Sequence, residues 1–273
     1  AAGDLVIIML AVGSQGRNQA QEVTTPAGYT PLGQLNPNGT TYDTSMNVSH
    51  KFMGSTPDTT FQAPPTGSTA DAQGWTVQVW RGVDPSTPMD VTPVPASNTG
   101  TGRPDPGSIS PASAGAYVVI CGAGAAAAGA VYVAPANYTT NFLTGTYADT
   151  NDVMVGSGYR AWTSGAEDPA QYTGGTTNAV DSWAAYTIAL RPYIAPVLDQ
   201  DSFRLRNDDG NETTATWKAA INQNASLNAD ENFRCRFVVQ ETGGGASANE
   251  GFRFQYRLNA GSWTDITNIS SVV

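Results

Sequence analysis

The chain opens on its longest apolar run, Leu5-Val6-Ile7-Ile8-Met9-Leu10-Ala11-Val12. It falls well short of the about 20 residues that a helix needs to cross a bilayer. Its β-branched content predicts a buried strand. Ala1-Ala2-Gly3-Asp4 before it holds no basic residue, so the run makes a poor signal peptide. Further strand-like runs lie at Thr41–Phe52, Thr59–Gln62, Trp75–Trp80, Ala116–Cys121, Ala130–Val133, Asp152–Val155 and Ser182–Leu190. No segment sustains a 3.6-residue apolar period. The only helix-compatible stretch, Ala123–Ala130, is opposed by Gly124 and Gly129. Between the runs lie loops of Gly, Pro, Ser and Thr, and Asp84–Pro111 alone holds seven prolines. Many strands on long loops predict a jelly-roll (concanavalin-like) β-sandwich over residues 1–192. An immunoglobulin-like sandwich of about 100 residues is too small for this part.

The pattern changes after Arg191-Pro192-Tyr193-Ile194-Ala195-Pro196, where two prolines interrupt pairing and stiffen a linker at 193–196. Phe203-Arg204-Leu205-Arg206, Phe233-Arg234-Cys235-Arg236-Phe237 and Phe252–Leu258 then alternate apolar and polar, mostly basic, positions. Asn259-Ala260-Gly261 predicts a short turn into Ser262–Ile266. This is the period-2 signature of antiparallel strands with one wet face. Residues 197–273 are therefore expected to form a smaller immunoglobulin- or fibronectin-like sandwich. The arginine rows are expected on its solvated face, beside carboxylates. Ser270-Ser271-Val272-Val273 ends where another strand could begin, so this sandwich is expected to be incomplete and the natural polypeptide to be longer.

Composition narrows the function. Charged residues are 13% of the chain, with 29 Gly and 17 Pro, and the net charge is −10 from 13 basic and 23 acidic residues. Nucleic-acid binders carry basic excess, so that class is not expected. One histidine and two cysteines leave little material for a Cys/His zinc site or a Ser-His-Asp triad. Cys121 and Cys235 fall in different predicted domains, so no disulfide is expected between them. Sequons occur at Asn38, Asn47, Asn137, Asn211, Asn224 and Asn268, only slightly more than this composition gives by chance.

Candidate chemistry is sparse. His50 lies within a strand run with no recognisable base–nucleophile partner. Gly122-Ala123-Gly124-Ala125-Ala126-Ala127-Ala128-Gly129 lacks the Gly-Lys-Ser/Thr of a phosphate loop and reads as a compact loop joining strands. Asp208, Asp209 and Glu212 flank Gly210 and could offer oxygens to calcium, but the EF-hand spacing is absent and a plain turn is the simpler reading. Asp149–Asp152 reads the same way. Glu22 and Glu167 are the only glutamates before residue 200, which disfavours a paired-carboxylate glycosidase. No catalytic residue and no cofactor is expected. Among six tryptophans, Trp75 and Trp80 lie five apart on one strand and must face opposite sides. Trp162, with Tyr159 and Arg160 beside it, is the candidate platform for a glycan.

Two stretches carry a resemblance. Trp75-Thr76-Val77-Gln78-Val79-Trp80-Arg81-Gly82-Val83-Asp84-Pro85 is followed by Pro88-Met89-Asp90. It comes with an opening Gly3–Val6 strand, a Pro26–Tyr29 turn and a closing Ala189–Pro192. This set resembles a module of tailed-bacteriophage virion structural proteins. Phe203–Gly210, Thr214–Trp217, Phe254–Arg257 and Ser262-Trp263 resemble a small β-domain of the same kind of protein. The resemblance implies a non-enzymatic protein on the virion surface: a capsid decoration, head-fibre or tail-associated component. Its implied partners are copies of itself, other capsid or tail proteins and host surface glycans, with no nucleic acid and no membrane insertion. The rival expectation is a secreted carbohydrate-binding or adhesin module of a cellular or filamentous extracellular assembly. A glycan depolymerase on the same scaffold is a weaker third.

Overall fold

The computed structural model describes residues 1–15, 23–37, 42–61, 72–100, 103–126, 132–145, 152–174, 182–211, 213–245, 251–257 and 259–266. Among them the chain is all-β, without a helix and so without one that could cross a membrane. It divides into two compact units, Ala1–Tyr193 and Ile194–Val273.

Unit 1 contains eleven strands: β1 (Leu5–Gln15), β2 (Thr30–Leu35), β3 (Tyr42–Phe52), β4 (Ala72–Trp80), β5 (Val94–Asn98), β6 (Tyr117–Ala126), β7 (Tyr132–Val133), β8 (Thr139–Gly145), β9 (Asp152–Ala161), β10 (Thr173–Gly174) and β11 (Trp183–Leu190). They form a first sheet in the order β2-β3-β1-β4 and a second in the order β5-β11-β6-β9-β8, with β7 and β10 as a small separate pair. Every pairing is antiparallel.

The two sheets pack face to face. Leu5, Ile7 and Met9 of β1 and Met46 and Val48 of β3 meet Val119 and Cys121 of β6, Val153 and Val155 of β9, and Tyr186 and Ile188 of β11. Two hydrogen bonds stitch the layers together. The Thr44 amide donates to Ser182 Oγ at 2.7 Å, and Thr44 Oγ1 donates to the Ser182 carbonyl at 2.9 Å.

Much of each outer face is covered as well. Val6, Ile8, Leu10 and Val12, the opposite side of β1, pack under Val23, Met53, Tyr29 and Phe61. Val118, Ile120, Met154 and Ala189 on the outer face of the second sheet pack under Ile109, Tyr132, Tyr138 and Tyr172. A strand buried on both faces has no reason to alternate, which accounts for the unbroken apolar run of β1. The Pro-rich loops are roofs. At Gly122 an added Cβ would lie 2.4 Å from Pro104 Cβ, so only glycine lets that loop close on β6. On β3 the outer face is polar yet buried, through the small side chains Asp43, Ser45, Asn47 and Ser49. Asn47 Nδ2 there donates to Thr25 Oγ1 at 3.1 Å.

Several expectations need correction. Gly122–Ala126 is not a loop or a helix but the end of β6, paired with β9 and, as far as Gly124, with β11. Ala127–Gly129 lie outside the described residues, as do Asn38, Asn268, Glu22 and Asp149–Asn151. Thr59–Phe61 form no strand. Four strands were not legible: β2, β5 and β8, all on sheet edges, and the two-residue β10.

Unit 2 holds β12 (Leu198–Asn207) paired antiparallel with β13 (Phe233–Glu241), and the short pair β14 (Gln255–Tyr256) and β15 (Thr264–Asp265). Asn259, at φ 53°, makes the turn between the last two. The arginine rows are solvated in part: Arg236 and Arg253 are exposed, Arg253 beside Asp265, whereas Arg206 is buried. Register sets Arg204 opposite Arg236 and Arg206 opposite Arg234, an unfavourable like-charge pairing. Asp208 offsets it by an ion pair to Arg234 at 2.7 Å. The Arg204 and Arg206 guanidiniums lie 4.1 and 4.6 Å from the Trp217 ring centroid, and Arg206 is buried.

Candidate functional site

A cleft of unit 1 lies where the inter-sheet space reaches one end of the sheets. Along β4 the even positions face inward: Trp80 stands opposite Leu5, Gln78 opposite Ile7 and Thr76 opposite Met9. On β6 the inward positions are odd, so Tyr117 continues the row of Val119 and Cys121. On β9 the inward row of Val153 and Val155 ends at Tyr159, which pairs across to Val119. Three aromatic rings thus converge at the open end. Trp80 meets Tyr159 edge-on at 5.2 Å and Tyr117 at a tilt at 5.4 Å, and the two tyrosines are 6.4 Å apart. They line a cleft of about 440 Å³.

Arg81 and Arg191 complete its rim. Arg191 is fully engaged. Its Nε donates to Asp90 Oδ1 at 3.3 Å, Nη1 to Thr87 Oγ1 at 3.1 Å and Nη2 to the Asp90 carbonyl at 3.2 Å. Arg81 is different. Its Nε donates to Asp4 Oδ1 at 3.1 Å, while the side chain as a whole stays 79% exposed. Gly82 and Gly115 border the cleft with φ of 69° and 81°, a region that side-chain-bearing residues avoid. Asp90 anchors the loop behind Arg191 by accepting from the Ala112 amide, the Ser113 amide and Ser113 Oγ.

The residues singled out from sequence are not brought together. Tyr159 lines the cleft. Arg160, one position on, points to the opposite face, where it pairs with Glu167 at 3.2 Å and lies over Tyr138. Tyr138 donates its hydroxyl to the same carboxylate at 2.7 Å; burial, then that carboxylate, push its pKa far above the ordinary value. Trp162 is no free platform: it is half-buried against the outer cluster and donates its indole N–H to the Gly165 carbonyl at 2.9 Å. Trp80 and Arg81 belong to the Trp75–Pro85 stretch noted in the sequence, but nothing there marks them or Tyr117 as lining a cleft.

The remaining candidates are accounted for locally. Asp208 pairs with Arg234, and Asp209 accepts from the amide and hydroxyl of Thr216. Hydrogen bonds from Thr216 hold the Asp209 carboxyl below its usual range. Glu212 lies outside the described residues. Among those described, no group of three or more His, Cys, Asp or Glu is placed to hold a metal ion. His50 is half-buried; burial lowers its pKa, and a hydrogen bond with the Thr30 backbone opposes that shift. Both cysteines are free thiols, Cys121 buried with its pKa raised to about 12 by desolvation, Cys235 exposed. Set beside known proteins, the chain matches no protein-family model, and neither a curated protein nor a solved structure resembles it.

Proposed function

We propose that the chain is a non-enzymatic structural protein of a phage virion, displayed on the capsid or tail surface and acting by assembly, stabilisation or attachment. The observation that carries this reading is the uneven surface of unit 2. Its exposed large hydrophobics include Val197, Ile221, Val238, Phe252, Phe254 and Trp263. Among its described residues the only buried hydrophobic is Ala215. Large apolar side chains left exposed while almost none is buried favour contact with other protein surface, and a unit built this way works in an assembly. The viral setting rests on the residue pattern at Trp75–Asp90 and Phe203–Trp217.

In this reading, residues 1–192 are a jelly-roll-like domain and residues 197–273 a small immunoglobulin-like one, joined at 193–196. The two-layer build of unit 1 supports the first term. Its strand order, β1–β4 in one sheet and β5, β6, β8, β9 and β11 in the other, lacks the return between sheets that two Greek keys make, so the term covers the layering alone. The rival reading, a secreted carbohydrate-binding or adhesin module, places the same contact surface in a cellular assembly. Mass spectrometry of purified virions decides between them. A stoichiometric amount of this chain is expected; its absence from the particles, with secretion by an uninfected cell, overturns the viral reading.

A further inference from the structure

We propose that the cleft at the open end of unit 1 binds one pyranose ring of a neutral glycan, stacked on Tyr117 and held at its hydroxyl edge by Arg81. The inference concerns the cleft itself and holds whether the assembly is viral or cellular.

Three observations carry it. The first is shape. About 440 Å³ falls inside the roughly 300–1,000 Å³ typical of small-ligand clefts, and the opening lies between strand ends. The second is the aromatic lining. Tyr117 is 40% exposed although its row belongs to the core, and the contacts with Trp80 and Tyr159 hold its ring in place. A fixed, half-open ring offers a flat apolar face to the C–H face of a sugar at little cost in side-chain entropy. The third is the donor. Arg81 is tethered through Nε to Asp4, and its terminal nitrogens have no protein acceptor among the described residues. A tethered guanidinium presents a planar fork suited to two adjacent oxygens. Asp4 shares its carboxylate between Arg81, at Oδ1, and the Ala1 amino group, at Oδ2; the apolar ring face selects an uncharged pyranose, and the fork takes its vicinal hydroxyls.

Trp75, an exposed aromatic on the other side of β4, lacks these features. Trp75 stacks edge-on with Phe61 at 5.5 Å on the outer face of β4, where no guanidinium of the described residues lies over it. It therefore serves as the internal control.

The test uses the full chain on an array of neutral di- to tetrasaccharides of hexose and N-acetylhexosamine, with uronic-acid-bearing glycans alongside. Hits are followed by saturation-transfer NMR. Binding of at least one neutral glycan is expected. Tyr117→Ala and Arg81→Gln should each weaken it about tenfold or more, Tyr117→Phe should retain it, and Trp75→Ala should leave it unchanged. Arg81→Gln alters a largely exposed side chain and so separates lost contact from lost folding. The assignment is overturned if no neutral glycan binds, if affinity is the same in Tyr117→Ala and Arg81→Gln, or if only acidic glycans bind in a salt-sensitive way. None of these outcomes bears on whether the chain is found in virions.

Discussion

Asp90 shows how few ionisable groups this chain spends and how fully each is used. Its side chain is entirely buried and accepts from two backbone amides, a serine hydroxyl and the Arg191 guanidinium. Burial alone would raise its pKa. The bonds from Ser113 and Ala112 and the charge of Arg191 outweigh it, so the carboxyl sits below its ordinary value. A group whose folded pKa lies below its unfolded value of about 3.9 stabilises the fold above that pH. The contribution is lost as pH falls through the folded pKa. Asp90→Asn is thus expected to lower the stability of unit 1 by roughly 1.5–3 kcal/mol at pH 7, the worth of hydrogen bonds to a charged group. The gap to the parent chain should narrow as pH drops below about 4. Urea denaturation across pH 3–7 measures both, and a gap that stays constant with pH contradicts the account.

At the scale of the strand, β1 and β4 are neighbours in one sheet yet follow opposite rules. β1 is buried on both faces, so neither parity is free. β4 is an edge strand whose outward Trp75, Val77 and Val79 are exposed while its inward Thr76 and Gln78 are buried. Ile7→Ala and Ile8→Ala are each expected to cost about 2–5 kcal/mol. Val77→Ala and Val79→Ala should cost less than about 1 kcal/mol. Chemical denaturation of the four variants distinguishes this from a one-sided β1, in which only Ile7 would matter. The same contrast explains what could be read beforehand. The apolar run of β1 and the opposite facing of Trp75 and Trp80 are strictly local patterns. The edge strands were hidden because Pro31 and Gly33 in β2 and Pro95 in β5 sit where no ladder hydrogen bond is required of them on the open side. The cleft was half legible. Tyr159 stood out, but Trp80 and Tyr117 share the parity of the core. Only long-range register, Leu5 opposite Trp80 and Leu190 opposite Tyr117, puts them at the end of the sheets.

Across the whole chain, apolar surface is distributed against size. Unit 2 is less than a third of the length, yet it carries most of the exposed large hydrophobics among the described residues. Unit 1 has a core between its sheets and further apolar layers on both outer faces. Unit 2 relies instead on the β12–β13 ladder, the two-residue β14–β15 pair, the Phe237–Phe254 ring contact at 5.2 Å and guanidiniums over Trp217 and Trp263. A chain of that size buries too little surface on its own to be more than marginally stable. If its apolar face is covered by further copies, association adds stability that depends on protein concentration, because a partner that binds only the folded form shifts the equilibrium by mass action. Unit 1 gains nothing from this. Calorimetry is therefore expected to resolve two transitions, the lower belonging to unit 2 and rising as concentration is increased over about two decades, the upper staying fixed. Phe252→Ser with Val238→Ser removes two exposed apolar side chains while leaving the Phe237–Phe254 contact and every buried position in place. It should abolish the concentration dependence of the lower transition and leave the upper one in place. A lower transition that ignores concentration in the parent chain would mean that the face of unit 2 is not where copies of this protein meet.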